Sequence, residues 1–189
     1  MERLSTISSH LSTNKLSAKN APKSPNDVVI CGAVRTPLTK AKRGGLKDTT
    51  PEILVKTVLE GLIQRTGVKP ADIQDIVMGN VSQPGAGVFP ARMAELLAGL
   101  PDTVPCASIN RLCSSGLEAC ATIASKIKAG FIDIGIGGGV EQMTMFDMQS
   151  SMNPETISEA VFEHPQARNT LLSMGQTSEV AQSPHFVSF

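Results

Sequence analysis

The chain has 189 residues, with 17 Lys and Arg against 17 Asp and Glu and a formal net charge of +0, a length that suits one ordinary domain or slightly more. That balance gives no electrostatic case for nucleic acid or an anionic membrane surface, and with no Trp, no Tyr and only six Phe there is little from which to build a base-stacking platform. No apolar run reaches the roughly 18 residues of a membrane span, so none is expected.

The first 25 residues are rich in Ser, Thr, Asn and Lys and are closed by Pro22 and Pro25, which predicts a flexible segment ahead of the fold. Within it, Arg3-Leu4, five residues and His10-Leu11 resemble the N-terminal peroxisomal targeting pattern R-L-x5-H-L. In a helix, Leu4, Ile7 and Leu11 share one face that an import receptor could grip. A mitochondrial presequence is the competing reading, because this end is also Ser-rich and poor in acid; the peroxisome is preferred.

From Asp27 onward the pattern is regular. Val28-Val29-Ile30-Cys31 predicts a short strand covered on both faces. A helix follows from Pro51 to Arg65, with Thr50 as a cap, Pro51 in the first turn and Ile53, Leu54, Val58 and Leu62 as its apolar stripe. A strand within 73–81, a helix over 91–98 and a short strand over 103–109 come next. They lead to a helix from Gly116 to Ala129, with Leu117, Ala121, Ala124 and Ile127 at helical spacing, Lys126 and Lys128 in its last turn and Gly130 just beyond it. A fourth strand falls within 132–140. The alternation predicts an α/β fold with a mostly parallel sheet and helices on both faces, in which reactive groups gather where strands give way to helices.

Four cysteines stand at 31, 106, 113 and 120, match no C-x-x-C zinc pattern and follow no secretory signal, so no metal is expected and a reduced intracellular compartment is preferred. Cys31, Cys106 and Cys120 read as core residues. Cys113 is different, because Cys113-Ser114-Ser115-Gly116 carries the chain from a strand into a helix. Its sulfur falls at or near the helix N-terminus, where unpaired N–H groups and the macrodipole favour the thiolate. A small buried hydrophobe and a nucleophile are the two readings of it.

Asn110-Arg111-Leu112-Cys113-Ser114-Ser115-Gly116-Leu117 resembles the nucleophile motif of the thiolases, N-R-Q-C-S-S-G, with Leu112 where that family carries glutamine. Further stretches are similar to thiolase landmarks in the same order: Arg35-Thr36-Pro37, Lys42 to Asp48, Gly79-Asn80-Val81, Gly138 to Met143, and Met174-Gly175-Gln176-Thr177-Ser178-Glu179. The resemblance implies a thiolase-like N-terminal domain and transfer of an acyl group through a thioester on Cys113 to coenzyme A, which is a substrate and not a resident cofactor. It implies thiolytic release of acetyl-CoA in fatty-acid β-oxidation, a homodimer in the full-length family, and Met174 beside the bound coenzyme.

Other residues keep a blander reading beside the functional one. Lys40 to Lys47 is a solvated basic loop or a contact for a coenzyme phosphate. The glycines at 135, 137, 138 and 139 mark close backbone packing more readily than a phosphate cradle. Glu141 is a general base or a support for the site, and Met143, Met145, Met148 and Met152 fill gaps or line an acyl surface. The division expected is 1–25 targeting segment, 26–145 thiolase N-terminal domain, 146–182 start of the loop region and 183–189 divergent tail. The family's G-H-P, C-x-G and N-E-A-F motifs do not occur; the histidines are His10, His164 and His185, and no glycine precedes the last two. The chain therefore reads as cut short relative to the family. The alternative function is an inactive thiolase half that acts, if at all, as a binding or dimerisation partner.

Overall fold

Asp75-Ile76-Val77-Met78-Gly79 is buried along its whole length, as a strand with neighbours on both sides and helices on both faces must be. The structure, a computed structural model, describes residues 23–147 and 154–181. Two units divide it, Met1–Phe146 and Asp147–Phe189. In the first unit the elements are α1 (Pro51–Thr66), a 3-10 turn (Pro70–Asp72), β1 (Asp75–Gly79), a second 3-10 turn (Pro84–Gly87), α2 (Val88–Leu97), β2 (Cys106–Ile109), α3 (Ser115–Lys128) and β3 (Gly135–Gly139). The strands form a parallel sheet in the order β2-β1-β3, with Ile76 opposite both Cys106 and Ile136. The second unit holds a 3-10 turn (Pro154–Thr156), α4 (Glu159–Glu163), α5 (Pro165–Asn169) and α6 (Met174–Ala181).

Period-two alternation along β1 divides the core. Ile76 and Met78 point to one face, where Val55 and Leu59 of α1 and Ala91 and Ala94 of α2 join Ile73, Leu100 and Val104. Val77 points to the other, onto Ala119 and Ile123 of α3. Each fully buried Val, Leu or Ile contributes about 1.5–3 kcal/mol. Asp75, on the α3 side, is buried and forms a short ion pair with Lys126 in the last turn of α3.

The glycines of β3 set the height of α3 above the sheet. A Cβ on Gly137 would stand 2.6 Å from Cys120 Cα and 3.0 Å from the Ala119 carbonyl carbon, and one on Gly135 would meet Ile123. Only a strand without side chains on that face lets the helix come so near.

Five expectations are corrected. Residues 28–31 form no strand: the segment has no assigned secondary structure and pairs with no strand, and Ile30 is 89% exposed. A run of four apolar residues becomes a strand only beside a hydrogen-bonding neighbour, and among the described residues neither β2 nor β3 supplies one. The stripe of α1 that meets the core is Pro51, Val55 and Leu59, one position from the row through Leu54, Val58 and Leu62. On α3 the buried row is Ser115, Ala119 and Ile123, while Leu117 is 75% exposed. The sheet glycines accept the row with a small residue at its centre. Cys31 and Cys120 are exposed and not core, because the first lies on the unpaired segment and the second on the flank of α3. Thr50 precedes α1 as its N-cap, but its hydroxyl donates to Glu52 Oε1 at 2.6 Å and accepts no helix N–H.

Beneath α2 a charged group is sealed in. Glu95 has no exposed surface and pairs with Arg92 Nη1 at 2.8 Å, while the guanidinium also donates to the carbonyls of Asp102 and Val104. Burial raises the Glu95 pKa above its ordinary 4.5, partly offset by Arg92. The folded chain therefore holds this proton to a higher pH than the unfolded chain, so the contribution of Glu95 to stability is fully present below about 4.5 and is lost as pH rises through the folded value. In Glu95→Gln that component of the decline should vanish, so that the unfolding free energy falls less steeply with pH. Urea unfolding followed by circular dichroism at a series of pH values checks it, since the chain has no Trp or Tyr to report by fluorescence.

Candidate active site

Where β2 ends, the chain turns through five residues into α3, and Leu112 at the apex has φ of 52°. A branched side chain in the left-handed region costs about 1–2 kcal/mol. Two neighbours hold it there. Asn110 Oδ1 accepts from Leu112 N at 3.0 Å while Asn110 Nδ2 donates to Val81 O at 3.1 Å. Ser115 Oγ accepts from Arg111 N at 2.8 Å and donates to Leu112 O at 2.5 Å. The Arg111 guanidinium crosses to Glu118 at 2.6 Å. With Ser115 buried below the turn, Cys113 is left exposed on top of it, immediately before the Ser114 N-cap of α3.

The carboxyl ends of all three strands meet under this turn. Asn80 continues β1: its N–H donates to Ile109 O at 3.1 Å, its side-chain amide to Val140 O and, at 3.3 Å, to Glu141 Oε1, and its Oδ1 accepts from Gln83 N at 2.7 Å. The Glu141 carboxylate also accepts from Val81 N at 3.0 Å and Ser82 N at 3.1 Å. Of the two readings of Glu141, these bonds carry the supporting one. Gly79 is where α3 comes closest, since a Cβ there would lie 2.6 Å from Gly116 N and against the Ser115 backbone.

One residue further, Gln142 is only 5% exposed and donates to Leu46 O at 2.9 Å and Thr49 O at 2.6 Å, while its Oε1 accepts from Thr144 N at 3.0 Å. Thr144 Oγ1 accepts from Lys42 N at 3.0 Å. The basic loop of residues 40–47 is thereby fastened to the strand end that braces the cysteine turn.

Cys113, Glu141 and the basic loop are thus brought onto one end of the sheet. Met143 and Met145 follow Gln142 and are partly exposed. Met174 opens α6 in the second unit and is exposed. His164 caps α5, its Nδ1 accepting from Ala167 N at 3.3 Å. His10, His185, Met148 and Met152 lie outside the described residues, as does the targeting pattern. Among the described residues no group of three or more His, Cys, Asp or Glu is placed to hold a metal ion, and no helix is long and apolar enough to cross a membrane. The roles of Asn80, Ser115 and Gln142 escaped the sequence reading. The two-serine sequence after Cys113 is the signal that bears on Ser115; the bonds of Asn80 to Val140 and Glu141 and of Gln142 to Leu46 and Thr49 span 60 or more residues and leave no local signal.

Fold and site together define a class: parallel α/β proteins that present a cysteine on a strained strand-to-helix turn at the carboxyl end of the sheet. Residues 28–185 match the family described as thiolase, N-terminal domain, and the chain belongs to the thiolase family. It is 43% identical over 189 residues to the peroxisomal 3-ketoacyl-CoA thiolase B of Rattus norvegicus, covering 95% of this chain and 44% of that one. It is 51% identical over 161 residues to the peroxisomal 3-ketoacyl-CoA thiolase 2 of Arabidopsis thaliana, covering 83% and 34%. The dimeric peroxisomal thiolase of Saccharomyces cerevisiae superposes with a TM-score of 0.78 at 36% identity, over 88% of this chain and 44% of that structure. The chain thus spans less than half the length of the curated relatives it matches.

Two outcomes test this geometry. Burial and then the adjacent Glu95 carboxylate push the half-buried Cys106 thiol up to about 12, so iodoacetamide at neutral pH should label Cys106 last, with all four cysteines reacting in urea. Peptide mass spectrometry reads the order. Gly79→Ala should destabilise the fold by about 1–3 kcal/mol, as overpacking does, and leave Cys106 the last to be labelled, since Cys106 lies on the face of the sheet away from α3; urea titration gives the first and the same mass spectra the second.

Proposed function

We propose that the chain carries the nucleophile half of a peroxisomal 3-ketoacyl-CoA thiolase, an acyltransferase whose covalent step runs through Cys113. The observation that carries this reading is the placement of an exposed cysteine on the braced turn ahead of α3, within the matched family region. The Cys113 sulfur attacks the 3-keto carbon, a sulfur–carbon bond forms, and the C2–C3 bond breaks to leave the enolate of acetyl-CoA, which takes up a proton. The thiol of a second coenzyme A then attacks the thioester carbonyl, and the acyl group leaves the Cys113 sulfur. A thioester suits this relay because it is reactive enough to be passed on. The groups that activate the thiol and protonate the enolate are assigned to parts of the longer relatives that this chain does not span. Met174 is assigned a contact with the coenzyme, and the peroxisome is assigned from Arg3-Leu4-x5-His10-Leu11 together with the names of the relatives.

A second reading, a half that pairs with another thiolase chain without turnover, is favoured by α2. Phe89, Met93, Leu96 and Leu97 are exposed along it, and an apolar stripe of that size invites a partner. Association as a homodimer, as in the yeast relative, fits the same stripe.

Incubating the chain with a 3-ketoacyl-CoA and reading intact and peptide masses separates the two. Under the first reading an acyl adduct appears on Cys113, is removed by added coenzyme A, and is lost in Cys113→Ala. A folded chain that never takes the adduct, or takes it equally on Cys31 and Cys120, favours pairing.

A further inference from the structure

The chain as a whole is neutral, yet its positive charge is unevenly placed. Between Asp27 and Asp48 there is no carboxylate, while Arg35, Lys40, Lys42, Arg43 and Lys47 all fall there and all are exposed. Lys47 pairs with Asp48, but Arg35, Lys40 and Arg43 have no carboxylate partner among the described residues. Like charges gathered on a short loop repel one another, and a free loop would spread them apart.

This loop is not free. Gly44 N donates to Lys40 O at 2.6 Å, and the turn is so tight that a Cβ on Gly44 would stand 2.7 Å from Lys40 N and O. Lys42 holds φ of 65°, another left-handed residue that is not glycine. Buried Gln142 spends its whole side-chain amide on the loop and on Thr144, and Thr144 receives Lys42 N. The residue before Gln142 is Glu141, which holds Val81 and Ser82, and the Val81 carbonyl in turn receives Asn110 of the cysteine turn, so loop and turn are linked through the same strand end.

We propose that residues 40–47 form a preorganised cationic rim that docks the phosphate groups of an acyl-coenzyme A on its way to Cys113. The proposal rests on the coenzyme A thioester reading above and adds to it the residues that meet the phosphates. Coenzyme A carries its negative charge on phosphates and its reacting carbonyl at the far end of an uncharged arm. A cationic rim beside the nucleophile captures one end and leaves the other free to reach the sulfur. Fixing the cations beforehand removes the ordering cost that flexible lysines impose on binding. Since the groups are exposed, the attraction should weaken as salt rises.

Lysine footprinting of the 189-residue chain tests this. The amines are labelled with an acetylating ester in the presence of coenzyme A, of pantetheine, which lacks the phosphates, or of neither, and peptide masses give the rate at each site. The expected result is labelling of Lys40, Lys42 and Lys47 slowed several-fold by coenzyme A, restored by high salt, unaffected by pantetheine, and no change at Lys56 or Lys69. Equal slowing by pantetheine, or uniform slowing at every lysine, overturns the proposal, as does no slowing at all. The double variant Lys40→Glu with Arg43→Glu, both on the surface, should abolish the protection. Acyl transfer to Cys113 is read in parallel samples that hold a 3-ketoacyl-CoA and no acetylating ester. Transfer without protection sinks the rim and leaves the thioester reading standing; protection without transfer does the reverse.

Discussion

One serine hydroxyl keeps the cysteine turn in a shape its own residues disfavour. Ser115 Oγ takes the Arg111 N–H and gives its proton to the Leu112 carbonyl, closing a ring around the apex residue. Both bonds run to a buried hydroxyl and are themselves partly buried, and a buried donor or acceptor left unmade costs about 1–3 kcal/mol, comparable to the cost of a left-handed leucine. The strained backbone and its brace are therefore nearly matched. Cys113 stands clear of the fold because the residue two positions later is pulled beneath it.

That arrangement requires α3 to lie almost on the sheet. Gly79 and Gly137 remove the side chains that would otherwise hold the helix off, and Ala119 fills the contact with a single methyl. Lys126 and Asp75 pin the far end of the helix to the first residue of β1. The near end is fixed by backbone, glycine and serine, and the far end by charge. Asn80 and Glu141 complete the bracing from the neighbouring strand ends, through hydrogen bonds of the kind that bind loops together without apolar burial.

Much of this was legible in the sequence. Element order, the parallel sheet, helices on both faces and the strand-to-helix position of Cys113 all follow from periodicity, Gly and Pro placement and the family resemblance. Three things were not. The fate of residues 28–31 depends on a neighbouring strand, which a local apolar run cannot reveal. The phase of α3 was ambiguous because Leu117-Ala121-Ala124 and Ser115-Ala119-Ile123 are both plausible rows, and the choice is made by glycines on a strand later in the chain. Glu141 and Gln142 stand side by side in the sequence, while the loop residues they hold lie 59 to 96 positions away.

The Glu141 bonds to Val81 and Ser82 carry a consequence for how the chain comes to its shape. They join positions 60 and 59 residues apart, with α2, β2 and α3 all made in the interval. Contacts of such separation form late, after the loops between them have closed. During synthesis Cys113 leaves the ribosome well before Glu141, so for a time the thiol exists without the strand end that braces its turn. Cys113 is thus the older part of this end of the sheet, and the order in which it is made leaves its turn briefly without that support.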